Sequence, residues 1–87
     1  YLIKVYGESM IEAGILPGDF VLVERGLTPK NGDIVIAEVD GEWTMKYFHK
    51  QGEEILLVPA NSHFPPIKPM ESLKIFGVVV GVVRKYR

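Results

Sequence analysis

A chain of 87 residues with 10 basic and 11 acidic side chains has room for one small domain, and its net charge of −1 leaves no basic field for gripping a nucleic-acid backbone. It has no cysteine, which excludes disulfide staples, thiolate metal sites and a cysteine nucleophile, and fits a reducing compartment such as the cytoplasm. A core of this size is marginal by itself, so support from a partner chain is compatible with the length.

Short β-branched and aromatic runs broken by turn signals predict a mostly β fold. Leu2–Tyr6 reads as a strand that stops at Gly7, and Met10–Ile15 as a turn of helix broken by Pro17-Gly18-Asp19. Phe20–Glu24 is the next strand, followed by a loop through Thr28-Pro29-Lys30-Asn31-Gly32-Asp33. Ile34–Val39 and Trp43–Phe48 are joined by Asp40-Gly41, a type I′ hairpin signal because both central positions need positive φ. Gln51-Gly52 turns the chain into Ile55–Val58, and the prolines at 59, 65, 66 and 69 make the next stretch irregular. Leu73–Lys85 closes the chain as a long strand, bent at Gly77 or Gly81. The expected architecture is a compact set of twisted sheets or a partly open β-barrel.

Ile75–Val83 is apolar at nearly every position, so both of its faces should be covered. A central place in the core satisfies this, and so does packing across a dimer interface. The run Val78–Val83 is far short of the roughly 20 residues that span a bilayer, and no signal-peptide pattern opens the chain, so no membrane partner is expected. Arg84-Lys85-Tyr86-Arg87 reads as a solvated basic tail, too short to bind nucleic acid. The start at Tyr1, in strand-like sequence and without methionine, reads as a fragment of a longer chain.

Among the serines, Ser9 lies at a strand-to-turn junction, where a side chain is exposed and backbone N–H groups are free, as a nucleophile with an oxyanion hole requires. A turn or cap serine fits the same position. Its surroundings are not a nucleophile elbow, because Ile11 stands where G-x-S-x-G has glycine. His49 and His63 read as surface or structural histidines, and neither has a spaced partner that would make a metal centre. Lys46 lies mid-strand among Trp43, Met45, Tyr47 and Phe48; burial there would favour its neutral form and let it act as a general base. Strand alternation argues the other way, since Lys46 shares a face with Glu42, Thr44, Phe48 and Lys50, which looks solvated. Asp19 and Asp33 read as turn residues and Glu53-Glu54 as solvated; no nucleotide-binding glycine pattern occurs, and no cofactor is expected.

Gly7-Glu8-Ser9-Met10, Gly14-Ile15 and Gly18-Asp19 resemble the nucleophile segment of LexA/UmuD-type self-cleaving proteases. Gly32-Asp33-Ile34-Val35, Asp40-Gly41-Glu42 and Thr44-Met45-Lys46 resemble the segment that carries the lysine of that family. The Ser9-to-Lys46 spacing, Pro59-Ala60-Asn61-Ser62 and Phe76-Gly77-Val78-Val79 extend the resemblance over nearly the whole chain.

The resemblance implies a LexA/signal-peptidase-like β fold and a serine endopeptidase of the SOS response to DNA damage. It implies that Ser9 attacks a peptide carbonyl, that a buried, neutral Lys46 accepts its proton, and that the backbone N–H groups of Glu8 and Ser9 form the oxyanion hole. Members of such a family cut their own chain at a small-residue–Gly bond upstream of this domain, stimulated by a RecA filament on single-stranded DNA. They work as homodimers with the C-terminal strand region at the interface. Only Tyr1–Glu8 precede Ser9, so residues 1–87 are expected to form one peptidase and dimerisation domain without its cleavage arm or any DNA-binding domain, unable to cleave itself in cis.

Two biological roles follow. The Ser9–Ile15 segment, the Thr28–Asp33 loop and the Phe76–Val79 ending lean toward a UmuD-type mutagenesis subunit, a partner of an error-prone polymerase in translesion synthesis. The alternative is the C-terminal domain of a LexA-type repressor, in which cleavage separates a dimerisation domain from a helix-turn-helix domain. Signal peptidases also use serine and lysine but carry a membrane anchor. A third reading is a non-catalytic β interaction module in which Ser9 caps a turn and Lys46 is solvated.

Overall fold

The structure, a computed structural model, describes residues 1–86. Six strands form: β1 (Leu2–Lys4), β2 (Phe20–Glu24), β3 (Ile34–Val39), β4 (Glu42–Gln51), β5 (Glu54–Val58) and β6 (Leu73–Val83), with one 3-10 turn at Ile11–Ala13. They make a single antiparallel sheet in the order β1-β2-β6-β3-β4-β5. The mostly β expectation therefore holds. The sheet stays open, because β1 and β5 lie at opposite ends of this order. No helix among the described residues is long and apolar enough to cross a membrane.

The strand that arrives last in the chain lies in the middle of the sheet, bonded to β2 on one side and β3 on the other. That position accounts for the apolar residues of its first half, where Val78 is buried; Val80, Val82 and Val83 remain exposed, so the expectation that both faces are covered fails over the strand's second half. Its predicted bends are two bulges. Leu22 pairs with Gly81 but Val23 with Val79, and Ile36 pairs with Gly77 but Ala37 with Ile75, so Val80 and Phe76 are the extra residues. Beside the second bulge, Gly77 has a steric reason to be glycine. A Cβ there would stand 2.6 Å from Val23 Cγ1 and 2.8 Å from the Glu24 carbonyl oxygen, and a paired backbone oxygen cannot step aside.

Both faces of the sheet carry a core. Val5, Met10, Ile15, Val21, Val23, Ile36 and Ala60 pack on one side; Val35, Ala37, Val39, Phe48, Leu57 and Val78 pack on the other. In β3 successive residues alternate between the two clusters, as period-2 geometry demands. The proline-rich stretch is irregular as expected, touching the sheet by one bridge between Ile67 and Leu57. At the β3–β4 turn Asp40 (φ 49°) and Gly41 (φ 88°) adopt the positive φ values that their pairing signals. The Asp40 carboxylate then accepts the N–H groups of Met70 (3.1 Å), Glu71 (2.7 Å) and Ser72 (2.9 Å), tying the returning loop to the hairpin. These donors hold its pKa below the ordinary value.

Five strand ends differ from the sequence reading, among them the start of β5, at Glu54 rather than Ile55. β1 ends at Lys4; Val5 bonds instead to the Gly18–Asp19 corner, accepting from Gly18 N–H (2.9 Å) and donating to the Asp19 carbonyl (2.8 Å). β4 extends to Glu42 and Gln51, and β6 ends at Val83. The solvated-tail reading of the basic C-terminus needs correction at Arg84. Its guanidinium donates Nε to Asp19 Oδ1 (2.8 Å) and Nη2 to Asp19 Oδ2 (2.7 Å), and also caps the Gly14 carbonyl (2.8 Å). Asp19 is only 3% exposed and would be costly without such a partner, which composition alone does not reveal. Lys85 and Tyr86 are exposed; Arg87 lies outside the described residues.

Gly77→Ala is expected to destabilise the fold by about 1–3 kcal/mol, through overpacking against a backbone that cannot yield. Chemical denaturation checks this, and an unchanged midpoint would contradict the close approach. Acid titration gives a second expectation. The Arg84 side chain and the Leu16 N–H lower the Asp19 pKa from 3.8 to about 2. The unfolded chain therefore binds the proton first, so this contribution is complete above about pH 4 and is lost as pH falls through about 2. Thermal melts between pH 5 and 2 should show a shallower acid decline in Asp19→Asn than in the wild type.

Candidate active site

Ser9 sits in the turn that connects the end of the first strand region to the 3-10 turn. Its successor, Met10, is 2% exposed and plugs the core, receiving the Ala60 N–H on its sulfur at 3.3 Å. The Glu12 N–H donates to the Ala60 carbonyl at 2.7 Å, and the Glu8 carbonyl accepts from Ile11 N–H at 3.3 Å. An apolar anchor on one side and backbone bonds on the other thus hold the half-buried serine at the protein surface. Neither the Glu8 nor the Ser9 N–H has an acceptor among the described residues.

Lys46 occupies the middle of β4, paired with Val35 of β3. Alternation suggests a solvated face, and the structure corrects this: Lys46 is 7% and Phe48 6% exposed, whereas Glu42 and Lys50 at the strand ends are exposed. The solvated look comes from the ends of the strand alone. Over its middle, the Gly7–Met10 turn and β4 together wall a cleft of about 240 Å³ that Phe64 also lines.

The two predicted residues meet there. Lys46 Nζ lies 3.0 Å from Ser9 Oγ, with Thr44 Oγ1 at 2.5 Å and the Met45 carbonyl oxygen at 3.2 Å. Among the described residues the ion pairs are Lys68–Glu54 and Arg84–Asp19, so no carboxylate offsets the Lys46 charge. Burial consequently pulls its pKa below the ordinary 10.5. A neutral amine has two N–H groups and one lone pair. It can donate to Thr44 Oγ1 and Met45 O while accepting the Ser9 O–H. The ammonium donates to all three, so the amine can take the serine proton without losing a partner.

His49 and His63 are both exposed, and neither side chain bonds to Ser9. Two residues with a place at the site were not singled out from sequence. Thr44 was visible as the i−2 neighbour of Lys46 on one strand face. Asn61 stood within the Pro59-Ala60-Asn61-Ser62 motif of the resemblance, but its contact with the serine turn, 53 residues away, had no local signal.

An open β-sheet that presents a serine hydroxyl to a buried lysine at a surface cleft has the architecture of a peptidase-type domain. The chain belongs to the Peptidase S24-like family, whose model matches residues 1–80. It is similar to proteins named LexA repressor in three organisms. The one from Clostridium botulinum (strain Langeland) is 48% identical over 86 residues, covering 99% of this chain and 42% of that protein. The one from Acetivibrio thermocellus is 46% identical over 85 residues, covering 98% and 40%. The one from Carboxydothermus hydrogenoformans is 44% identical over 88 residues, covering 99% and 43%. The chain spans less than half the length of these relatives.

Replacing the lysine tests its burial independently of any activity. Because the folded value lies below 10.5, the unfolded chain binds the extra proton between the two, and folding stability rises with pH in that window. In Lys46→Met this rise should vanish, leaving the variant relatively most stable near neutral pH. Denaturant midpoints of both proteins from pH 7 to 10.5 check it; parallel curves would mean that Lys46 is solvated.

Proposed function

We propose that this chain is the serine–lysine peptidase domain of a self-cleaving, LexA-type transcriptional repressor. The observation that carries the reading is the 3.0 Å contact between Ser9 Oγ and the Nζ of a buried lysine that has no carboxylate partner among the described residues. Ser9 Oγ bonds to the carbonyl carbon of the scissile peptide as its proton passes to Lys46 Nζ. The Glu8 and Ser9 N–H groups receive the resulting oxyanion. The carbon–nitrogen bond then breaks and the leaving amine takes the proton from Lys46. Water next attacks the acyl-serine with Lys46 again as base, the carbonyl carbon–Oγ bond breaks, and Ser9 Oγ takes that proton back from Lys46. Thr44 and the Met45 carbonyl keep the amine aimed at Ser9 throughout.

The biological role rests on the relatives. Proteins named LexA repressor in several organisms support the repressor over the mutagenesis subunit that the sequence motifs favoured. In this reading the bond cut is a small-residue–Gly bond outside residues 1–87, and cleavage detaches this domain from a DNA-binding part of the full-length protein. The same reading makes the protein a cytoplasmic homodimer whose cleavage a RecA filament stimulates. The domain itself contacts no DNA, in keeping with its net charge of −1.

Incubating the purified full-length protein from neutral to alkaline pH and following fragment formation tests the chemistry. Cleavage should rise with pH as Lys46 loses its proton, and fall at least about 10³-fold in Ser9→Ala and in Lys46→Met. Cleavage that persists in either variant would exclude the dyad. Correctly folded wild-type protein that never cleaves, even with a RecA filament present, would favour a β interaction module.

A further inference from the structure

Asn61 is 5% exposed, although the residues that follow it, from Ser62 to Pro66, all face solvent. A buried carboxamide is costly unless both of its ends find partners. Its Oδ1 accepts the His63 N–H at 2.9 Å, a local bond. Its Nδ2 crosses to the opposite loop and donates to the Glu8 carbonyl at 2.8 Å. The Glu8 carbonyl and the Ser9 N–H belong to one planar trans peptide unit, so they point in opposite directions. Fixing the carbonyl therefore fixes the N–H. The Ser9 N–H has no acceptor among the described residues, and Ser9 lines the cleft.

We propose that Asn61 is a positioning residue for the serine site: by holding the Glu8 carbonyl it aims the Ser9 N–H at the place where the oxyanion of acyl transfer forms. The inference rests on the serine–lysine reading above. A donor of this kind acts only if it is aligned when charge develops, and misplacement of a reacting geometry by about 1 Å can cost on the order of 100-fold in rate. The neighbouring Ser62 N–H, donated to Glu12 Oε2 at 2.9 Å, and the Ala60 contacts hold the loop in register without Asn61. Loss of the carboxamide should therefore leave the Glu8 carbonyl with the longer Ile11 N–H bond alone (3.3 Å), loosening the peptide plane while the loop stays in place.

The test is the single-turnover rate of self-cleavage by the full-length protein against pH. It compares wild type, Asn61→Leu, which keeps the branching without the donor, Asn61→Ala, and Asp40→Ala as a variant that loosens a loop away from the cleft. Asn61→Leu should lower the alkaline plateau about 100-fold while the midpoint of the pH rise stays where the wild type has it. If that variant does not fold, Asn61→Ala is read in the same way. Asp40→Ala should melt earlier and keep the wild-type plateau. A wild-type plateau in the Asn61 variants overturns the inference alone. So does a midpoint that moves toward 10.5, or a plateau loss in Asp40→Ala as large as in Asn61→Leu, since either means general loosening. Wild-type protein without Ser9-dependent cleavage overturns the serine–lysine reading and this inference with it.

Discussion

The pairing of β6 with both β2 and β3 is the constraint on which the rest of the molecule depends. β1 and β2 flank the turn that carries Ser9, and β3, β4 and β5 form the meander that carries Lys46. These two halves share no strand pairing of their own. Only β6, at the end of the chain, bonds to both, and it does so through two bulges that adjust its register on each side. Gly77 lets β6 approach the end of β2 closely enough for this. The Asp19–Arg84 ion pair then fastens the chain just beyond β6 to the loop before β2. The distance between the serine and the lysine is thus set by a long-range assembly that is complete only once the last strand is in place.

That assembly buries Lys46, an energetically unfavourable step. Bringing the Gly7–Met10 turn over β4 removes water from Lys46 and adds the Ser9 hydroxyl to the neutral oxygens of Thr44 and Met45, where a counter-ion would stabilise the ammonium. The fold tolerates this because Met10 and its neighbours bury a full apolar cluster on the same turn. The burial that favours the neutral amine of Lys46 also lowers stability near neutral pH.

Much of this was legible in the sequence because it is local. The β-branched runs, the Asp40-Gly41 turn, the irregular proline stretch and the glycine-associated bends each depend on neighbouring residues, and each lies where short-range rules put it. Strand ends were less legible. Val5 has strand-like sequence yet bonds to a corner of the loop before β2, and β4 runs past its apolar stretch because its polar ends Glu42 and Gln51 pair with Val39 and Glu54 across tight turns. The motif series around Ser9 and Lys46 marked the pair through resemblance; period-2 reasoning placed Lys46 on a solvated face.

The sequence by itself determined the fold class and the apolar nature of the last strand, and the resemblance marked which serine and lysine to watch; the central place of that strand came from the structure. Hydrophobic pattern and turn chemistry act over a few residues and survive in the linear order. Tertiary structure alone decided that Lys46 is buried, that Arg84 is anchored to Asp19, and that Asn61 reaches the Glu8 carbonyl. Each of these is a contact between residues 37 to 65 positions apart, made by the way the open sheet brings its loops together. No local rule encodes it.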